Sequence, residues 1–233
     1  MAHPDHALWK QGWRANQIPF HLDHVHPLLP RFWPALALAG DECVFVPLCG
    51  KSLDLMWLHQ RGHHVLGVEL SSVAVRHFFA ATQLRPQCLE HGALTRWTQE
   101  RLDIYCGDFF ALTPADLTGV RAVLDCAALT ALPESLRTRY VAHLHAILPV
   151  ACGVLLITVE DLDDDENSAD HMALSEEIVT LYAGYFAIEL LHAEYHSLCL
   201  GAEGIAPLSR GIHKVYWLKR ADCDVNPEDI SRQ

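Results

Sequence analysis

A doubly wound α/β fold, its sheet mostly parallel with an antiparallel terminal hairpin, is what the sequence predicts. Three observations carry the prediction. Short apolar runs alternate with helical stretches through the middle of the chain, glycine or polar residues close those runs, and hydrophobic residues make up 51% of the sequence. Strand–helix alternation lays parallel strands side by side and packs helices on both faces.

The elements follow in order. The first forty residues, rich in Trp, His and Pro, read as short helices: one around Trp9–Trp13, another from His26 through Pro27 to Ala39, ended by the turn residues Gly40 and Asp41. Cys43–Val46 is a strand, Ser52–Gln60 a helix closed by Gly62, and His64–Val68 a second strand. Ser71 or Ser72 caps a helix through Ala81, as hydroxyl residues do at that position. Between Gln87 and Gln99, His91-Gly92 separates two mixed runs, the pattern of a hairpin. Leu102–Cys106 and Val120–Leu124 are strands, Glu134–Ile147 a helix and Cys152–Val159 a long apolar strand. A helix over Leu174–Ala183 precedes the two strands Phe186–Ala193 and Ile212–Leu218. The expectation is one domain over residues 1–220, of which 1–40 form a helical lid, followed by a polar tail at 221–233.

Composition narrows the function. The 233 residues carry a formal charge of −12, which argues against nucleic acid or an anionic membrane as partner, since both require a basic face. No uncharged apolar window of ~18 residues exists to span a bilayer, and the N-terminal MAHPDHALWKQGW lacks a secretory pattern. The eight cysteines include no CxxC pair, which reads as free thiols in a reducing, cytoplasmic setting.

In a doubly wound sheet, ligands sit beyond the carboxyl ends of the strands. Here those ends carry Pro47-Leu48-Cys49-Gly50-Lys51-Ser52, then Glu69, then Gly107-Asp108-Phe109, and finally Asp125. Glu69 lies 19 positions beyond Gly50, the placement of an acid that accepts hydrogen bonds from a ribose diol. Asp108 suits an adenine amino group and Phe109 the ring face, with a turn and core as the structural alternative; Phe110 reads as core. There is no GxGxxG, and Phe45 stands where a phosphate loop needs its first glycine. A nucleoside without phosphates remains, which points to S-adenosylmethionine.

At these motifs the chain resembles the thiopurine S-methyltransferase family, especially its bacterial members. The resemblance covers nearly the whole chain. It rests on Trp9 and Trp13, Phe20-His21, FVPLCGKSLDLMWLHQRGHHVLGVELS from Phe45 to Ser71, Gly107–Phe110, Asp125–Leu129 and Arg137–Tyr140. It implies a class I methyltransferase (Rossmann-like) fold, S-adenosylmethionine as cofactor with S-adenosylhomocysteine as product, a small-molecule acceptor and a monomer. It also implies a cofactor site of Trp9, Trp13, Leu48, Gly50, Glu69, Asp108, Phe109, Asp125 and Cys126, and an acceptor site of Phe20, His21 and Cys126.

Two positions depart from the family pattern. The family has Asp-Arg-x-Ala-Leu where this chain has Asp125-Cys126-Ala127-Ala128-Leu129, and Gly-Pro-Pro-Phe where this chain has Glu166–Met172. The missing cation, with acids over 161–170, hints at a neutral or cationic acceptor such as an amine, an imidazole or a zwitterionic thiol. A structural alternative is that Cys126 merely fills the space of an arginine. The implied reaction is methylation at sulfur, or at selenium or tellurium; the alternatives are N-methylation of an imidazole or amine, and non-catalytic nucleoside binding. Methyl transfer from a sulfonium needs orientation and an ionised acceptor rather than a triad, so only a positioned base is sought, among His21, Asp23 and His171. No metal is implied. HLDHVH has poor ligand geometry and reads as solvated or acceptor-lining histidines, and DLDDDE lacks the glycine of a calcium loop.

Overall fold

The computed structural model describes residues 5–18, 21–161, 173–198 and 209–220. Phe20, His171, most of the acidic segment and the 221–233 tail lie outside the described residues.

Helix α1 (Asp5–Ala15) and the short α2 (Leu28–Phe32) precede strand β1 (Cys43–Val46). Then come α3 (Asp54–Gln60), β2 (His64–Glu69) and α4 (Ser72–Ala81). The hairpin β3 (Gln87–His91) and β4 (Leu94–Gln99) leads into β5 (Leu102–Cys106). Next are β6 (Val120–Cys126), α5 (Ala128–Ala131), α6 (Glu134–Ile147) and β7 (Gly153–Asp161). Helix α7 (Glu176–Tyr182) and the strands β8 (Phe186–Leu198) and β9 (Ser209–Arg220) complete the described chain.

The nine strands form one sheet in the order β3-β4-β5-β2-β1-β6-β7-β9-β8. Strands β5, β2, β1, β6 and β7 are mutually parallel, and the order reverses beside β1, which makes that point the crevice of the fold. Strand β9 is antiparallel to both β7 and β8, so the terminal hairpin is present with its second strand inserted inward. Alternation within each strand feeds two cores. Val44 and Val46 pack with Leu55, Val75 and Phe78 on one face, while Phe45 packs with Tyr140, Val141 and Leu144 on the other. Among the described residues no helix is long and apolar enough to cross a membrane.

Two local expectations need correction. The helix predicted from His26 to Ala39 is α2 followed by a tighter 3-10 turn, Trp33–Leu36, ended by Ala37 at φ 50°. Pro30 and Pro34 remove amide donors from any continuous α-helical ladder there. Helix α4 does start at Ser72, but the Ser71 hydroxyl makes no capping bond. Its backbone N–H instead donates to the Glu69 carboxylate at 2.7 Å.

Candidate functional site

The parallel strands end along one edge, and there a cavity of about 560 Å³ opens under α1 and the segment that follows it. Trp9, Trp13, His21, Leu48, Gly50, Glu69, Asp108, Phe109 and Cys126 all line it.

At one end the turn after β1 is tightly wound. Leu48 and Gly50 have φ of 46° and 55°, left-handed values that strain any side chain. The turn is tied down by Cys49 N–H donating to Val68 O at 2.9 Å and by Gly50 N–H donating to Glu69 Oε2 at 3.0 Å. Trp13 seats on it, since a Cβ at Gly50 would stand 3.1 Å from the indole. Glu69 therefore knits two strand ends, one carboxylate oxygen on Gly50 and the other on Ser71. Burial pushes its pKa up to about 7, against the opposing pull of these backbone N–H donors. Leu70 N–H acts on the same carboxylate, so of its roughly four lone-pair sites about one remains for a ligand hydroxyl.

Asp108 stands half-exposed at the end of β5 and accepts from Phe110 N–H at 3.0 Å, while His6 of α1 approaches it at 3.9 Å. The two phenylalanines both line the cavity and pack against the core. Phe109 is buried, with ring centroids 5.0 Å from Tyr140 and 5.1 Å from His143. Phe110, read from sequence as core, is half-buried at the cavity with Arg139 4.0 Å above its ring.

Asp125 is not a cavity residue. It is wholly buried behind β6, where it accepts from the Tyr140 hydroxyl at 2.6 Å and from Ala128 N–H at 3.1 Å. Burial raises its pKa to about 6 in spite of those bonds. Its place in the predicted cofactor site is thus withdrawn; it anchors the start of α5. The next residue, Cys126, does face the cavity, and Ala127 turns the chain at φ 63°. Burial, then the charges of Asp54 and Asp125, hold the Cys126 thiol well above its usual pKa, so it stays neutral.

Of the base candidates, Asp23 is 96% exposed, meets His24 at 2.9 Å and is not among the residues that line the cavity. His21 lines the cavity, and burial followed by the Lys51 charge lowers its pKa, which keeps the ring neutral at pH 7. Histidines 24 and 26 also line the cavity, in keeping with the acceptor-lining alternative for HLDHVH. Among the described residues no three His, Cys, Asp or Glu side chains are grouped to hold a metal ion.

Sequence reasoning missed Asp54, Lys51, Glu194, Ile157 and His213, which also line the cavity. Asp54 is 4% exposed and its Oδ1 accepts from His26 N–H at 2.8 Å. An acid opening the helix after a strand-end glycine turn was the available signal. His213 could not be found that way, because it enters from the beginning of an antiparallel strand.

The family model described as thiopurine S-methyltransferase matches residues 4–221. The chain is 47% identical over 194 residues to a thiopurine S-methyltransferase of Stutzerimonas stutzeri, covering 83% of each chain. It is 46% identical over 188 residues to one of Pseudomonas fluorescens, covering 80% of this chain and 86% of that one. Among solved structures it is similar to an S-adenosylmethionine-dependent methyltransferase of Anabaena variabilis, with TM-score 0.62, 13% identity and coverage of 94% and 96%. It is similar also to the Streptomyces coelicolor geranyl diphosphate C-methyltransferase solved with S-adenosyl-L-homocysteine, with TM-score 0.63, 13% identity and coverage of 94% and 99%. At that identity the likeness establishes a shared fold.

Proposed function

Because the chain belongs to the thiopurine S-methyltransferase family and is an S-adenosylmethionine-dependent enzyme methylating small molecules at sulfur, we propose how its cavity divides the work. The cofactor end is Trp9, Trp13, Leu48, Gly50, Glu69, Asp108 and Phe109. The acceptor end is His21, Asp54, Cys126, Ile157 and His213. The observation that carries this division is Glu69, a buried carboxylate lining the cavity and held by the Gly50, Leu70 and Ser71 N–H groups, with lone-pair capacity left for a ribose hydroxyl.

S-adenosylmethionine, when bound, supplies a sulfonium methyl that a thiolate takes by in-line displacement, with a leaving group that needs no proton. The residues then have three tasks. Glu69 and the Gly50 turn fix the ribose and the chain leading to the sulfonium. Trp9 and Trp13 on α1 cover the site as part of the lid and exclude water. His21, neutral at pH 7, accepts the thiol proton. Cys126 remains a neutral wall beside the acceptor.

The test is product mass spectrometry with methyl-labelled S-adenosylmethionine over a panel of thiols, selenols, imidazoles and amines. Label on sulfur or selenium supports the reading; label on nitrogen alone sinks the assignment of this acceptor end. The division of the cavity fails if Glu69→Ala leaves S-adenosylhomocysteine affinity unchanged.

A further inference from the structure

We propose that the acceptor is a thiol bearing a cationic or N–H-donating group, and that Asp54 is the carboxylate that reads it. This rests on the proposed division of the cavity and names the substrate class of its far end.

The first observation is an imbalance of partners. Among the described residues Asp103 meets Arg96 at 2.8 Å and Glu160 meets Lys214 at 2.7 Å, whereas the buried Glu69, Asp125 and Asp54 are held by neutral donors; of these three, Glu69 is taken up by the proposed ribose contact and Asp125 does not line the cavity. At the cavity rim Glu194 has His192 at 2.9 Å and Arg31 at 3.7 Å. Asp54 is more buried than either glutamate, yet its hydrogen-bond partners are the His26 N–H and Ser52, both neutral donors. No Lys or Arg among the described residues forms an ion pair with it. A buried carboxylate that lacks a cation is costly, and one that faces a cavity can take its cation from a ligand.

The second observation is the wall opposite. Cys126 faces the same cavity, close enough that the Asp54 charge acts on its thiol. It offers no positive charge, whereas a side chain ending in guanidinium at this position would neutralise Asp54 from within the protein. The other groups facing this end are the imidazoles of His21, His24, His26 and His213, with apolar Ile157 and Leu28 between them. Lys51, which also lines the cavity, acts on His21. An anionic acceptor would meet Asp54 with like charge; an ammonium or imidazole N–H would complete it. The reacting sulfur then lies toward the cofactor end and the donor group toward Asp54.

The experiment uses three ring-matched probes: para-aminomethyl, para-methyl and para-carboxyl thiophenol. Each is titrated into the full chain saturated with S-adenosylhomocysteine, and each is assayed for turnover with S-adenosylmethionine. The expected result is aminomethyl binding roughly tenfold tighter than methyl, with carboxyl weakest, as one charge-assisted bond implies. In Asp54→Asn, which keeps an acceptor oxygen for His26 N–H, the three probes should bind about equally while S-adenosylhomocysteine affinity holds. In Cys126→Arg the ranking should reverse in favour of the carboxyl probe. The same charge ranking without methyl transfer would support Asp54 as the reader of the donor group and overturn the thiol half of this proposal together with the sulfur acceptor reading. Equal binding of the three probes to the wild type overturns it. So does an Asp54→Asn variant that loses S-adenosylhomocysteine affinity with the ranking intact, since Asp54 would then serve the cofactor's amino end.

Discussion

The Glu69 carboxylate and the Gly50 amide, 19 residues apart in sequence, meet at 3.0 Å, so the acid proposed to hold the ribose also sets the turn after β1. Removing the carboxylate should therefore act twice. Glu69→Ala is expected to lower S-adenosylhomocysteine affinity by at least about 1.5–3 kcal/mol, the range for charge-assisted bonds, and to loosen amide exchange protection at Gly50. Calorimetry and hydrogen exchange check the two effects separately.

Glu69 also sets a pH dependence. Its pKa stands at about 7 against an ordinary 4.5, so the unfolded chain gives up this proton first as pH rises. The penalty on stability is absent below the ordinary value, grows between the two and is complete above the folded value. Ribose hydroxyls donate to the ionised form, so cofactor affinity should change in the opposite sense and strengthen as pH rises through 7. Calorimetry across pH 6–8 should show that rise in the wild type, and Glu69→Gln should flatten it.

Trp13 stacks its edge on the Gly50 turn. Gly50→Ala adds a Cβ 3.1 Å from the indole at a φ of 55°. The backbone alone costs about 1–2 kcal/mol, so cofactor affinity should fall roughly tenfold or more while the circular dichroism spectrum is retained. Unchanged affinity would show that the lid does not need this approach.

Tyr140 and Asp125 make a buried structural pair directly behind the cavity-lining Phe109 and Cys126. Tyr140→Phe should destabilise the fold by about 1–3 kcal/mol, the cost of leaving a buried acceptor short of a donor, with little change in cofactor affinity. Because the Tyr140 hydroxyl lowers the Asp125 pKa, its removal should raise that value above 6 and carry the stability loss with rising pH further upward. Denaturant titrations at several pH values read both effects.

Gly153 starts β7 with the Trp217 ring of β9 lying where a Cβ would be. Gly153→Ala should lower Tm by shifting Trp217 across the sheet, at about 1–3 kcal/mol for overpacking, and differential scanning calorimetry measures it.

That Leu48, Gly50 and Glu69 line one cavity was legible in the chain because these residues follow local rules. A strand end, a glycine turn and an acid 19 residues later are properties of one βαβ unit. Cys43–Val46, Leu102–Cys106 and Glu134–Ile147 keep their predicted bounds for the same reason, since periodicity within a few turns decides them. What escaped depended on distant partners. Asp125 carries the same strand-end signature as Glu69, and only the arrival of Tyr140 from α6 turns it away from the cavity. Asp54, Glu194 and His213 meet across the crevice from three elements, a relation that no spacing encodes.

The insertion of β9 between β7 and β8 has an evolutionary reading. The parallel strands deliver their carboxyl ends to the cavity, whereas β9, running the other way, delivers its beginning, with His213 near that end and Glu194 opposite it on β8. In a hairpin the length of the connecting loop carries little entropic cost. Selection can thus exchange residues around the proposed acceptor end by drift in a single hairpin, while the β1–β2 crossover that holds Gly50 and Glu69 stays untouched. The fold separates a heritable constant, the methyl donor, from a trait free to diverge, the molecule that receives the methyl.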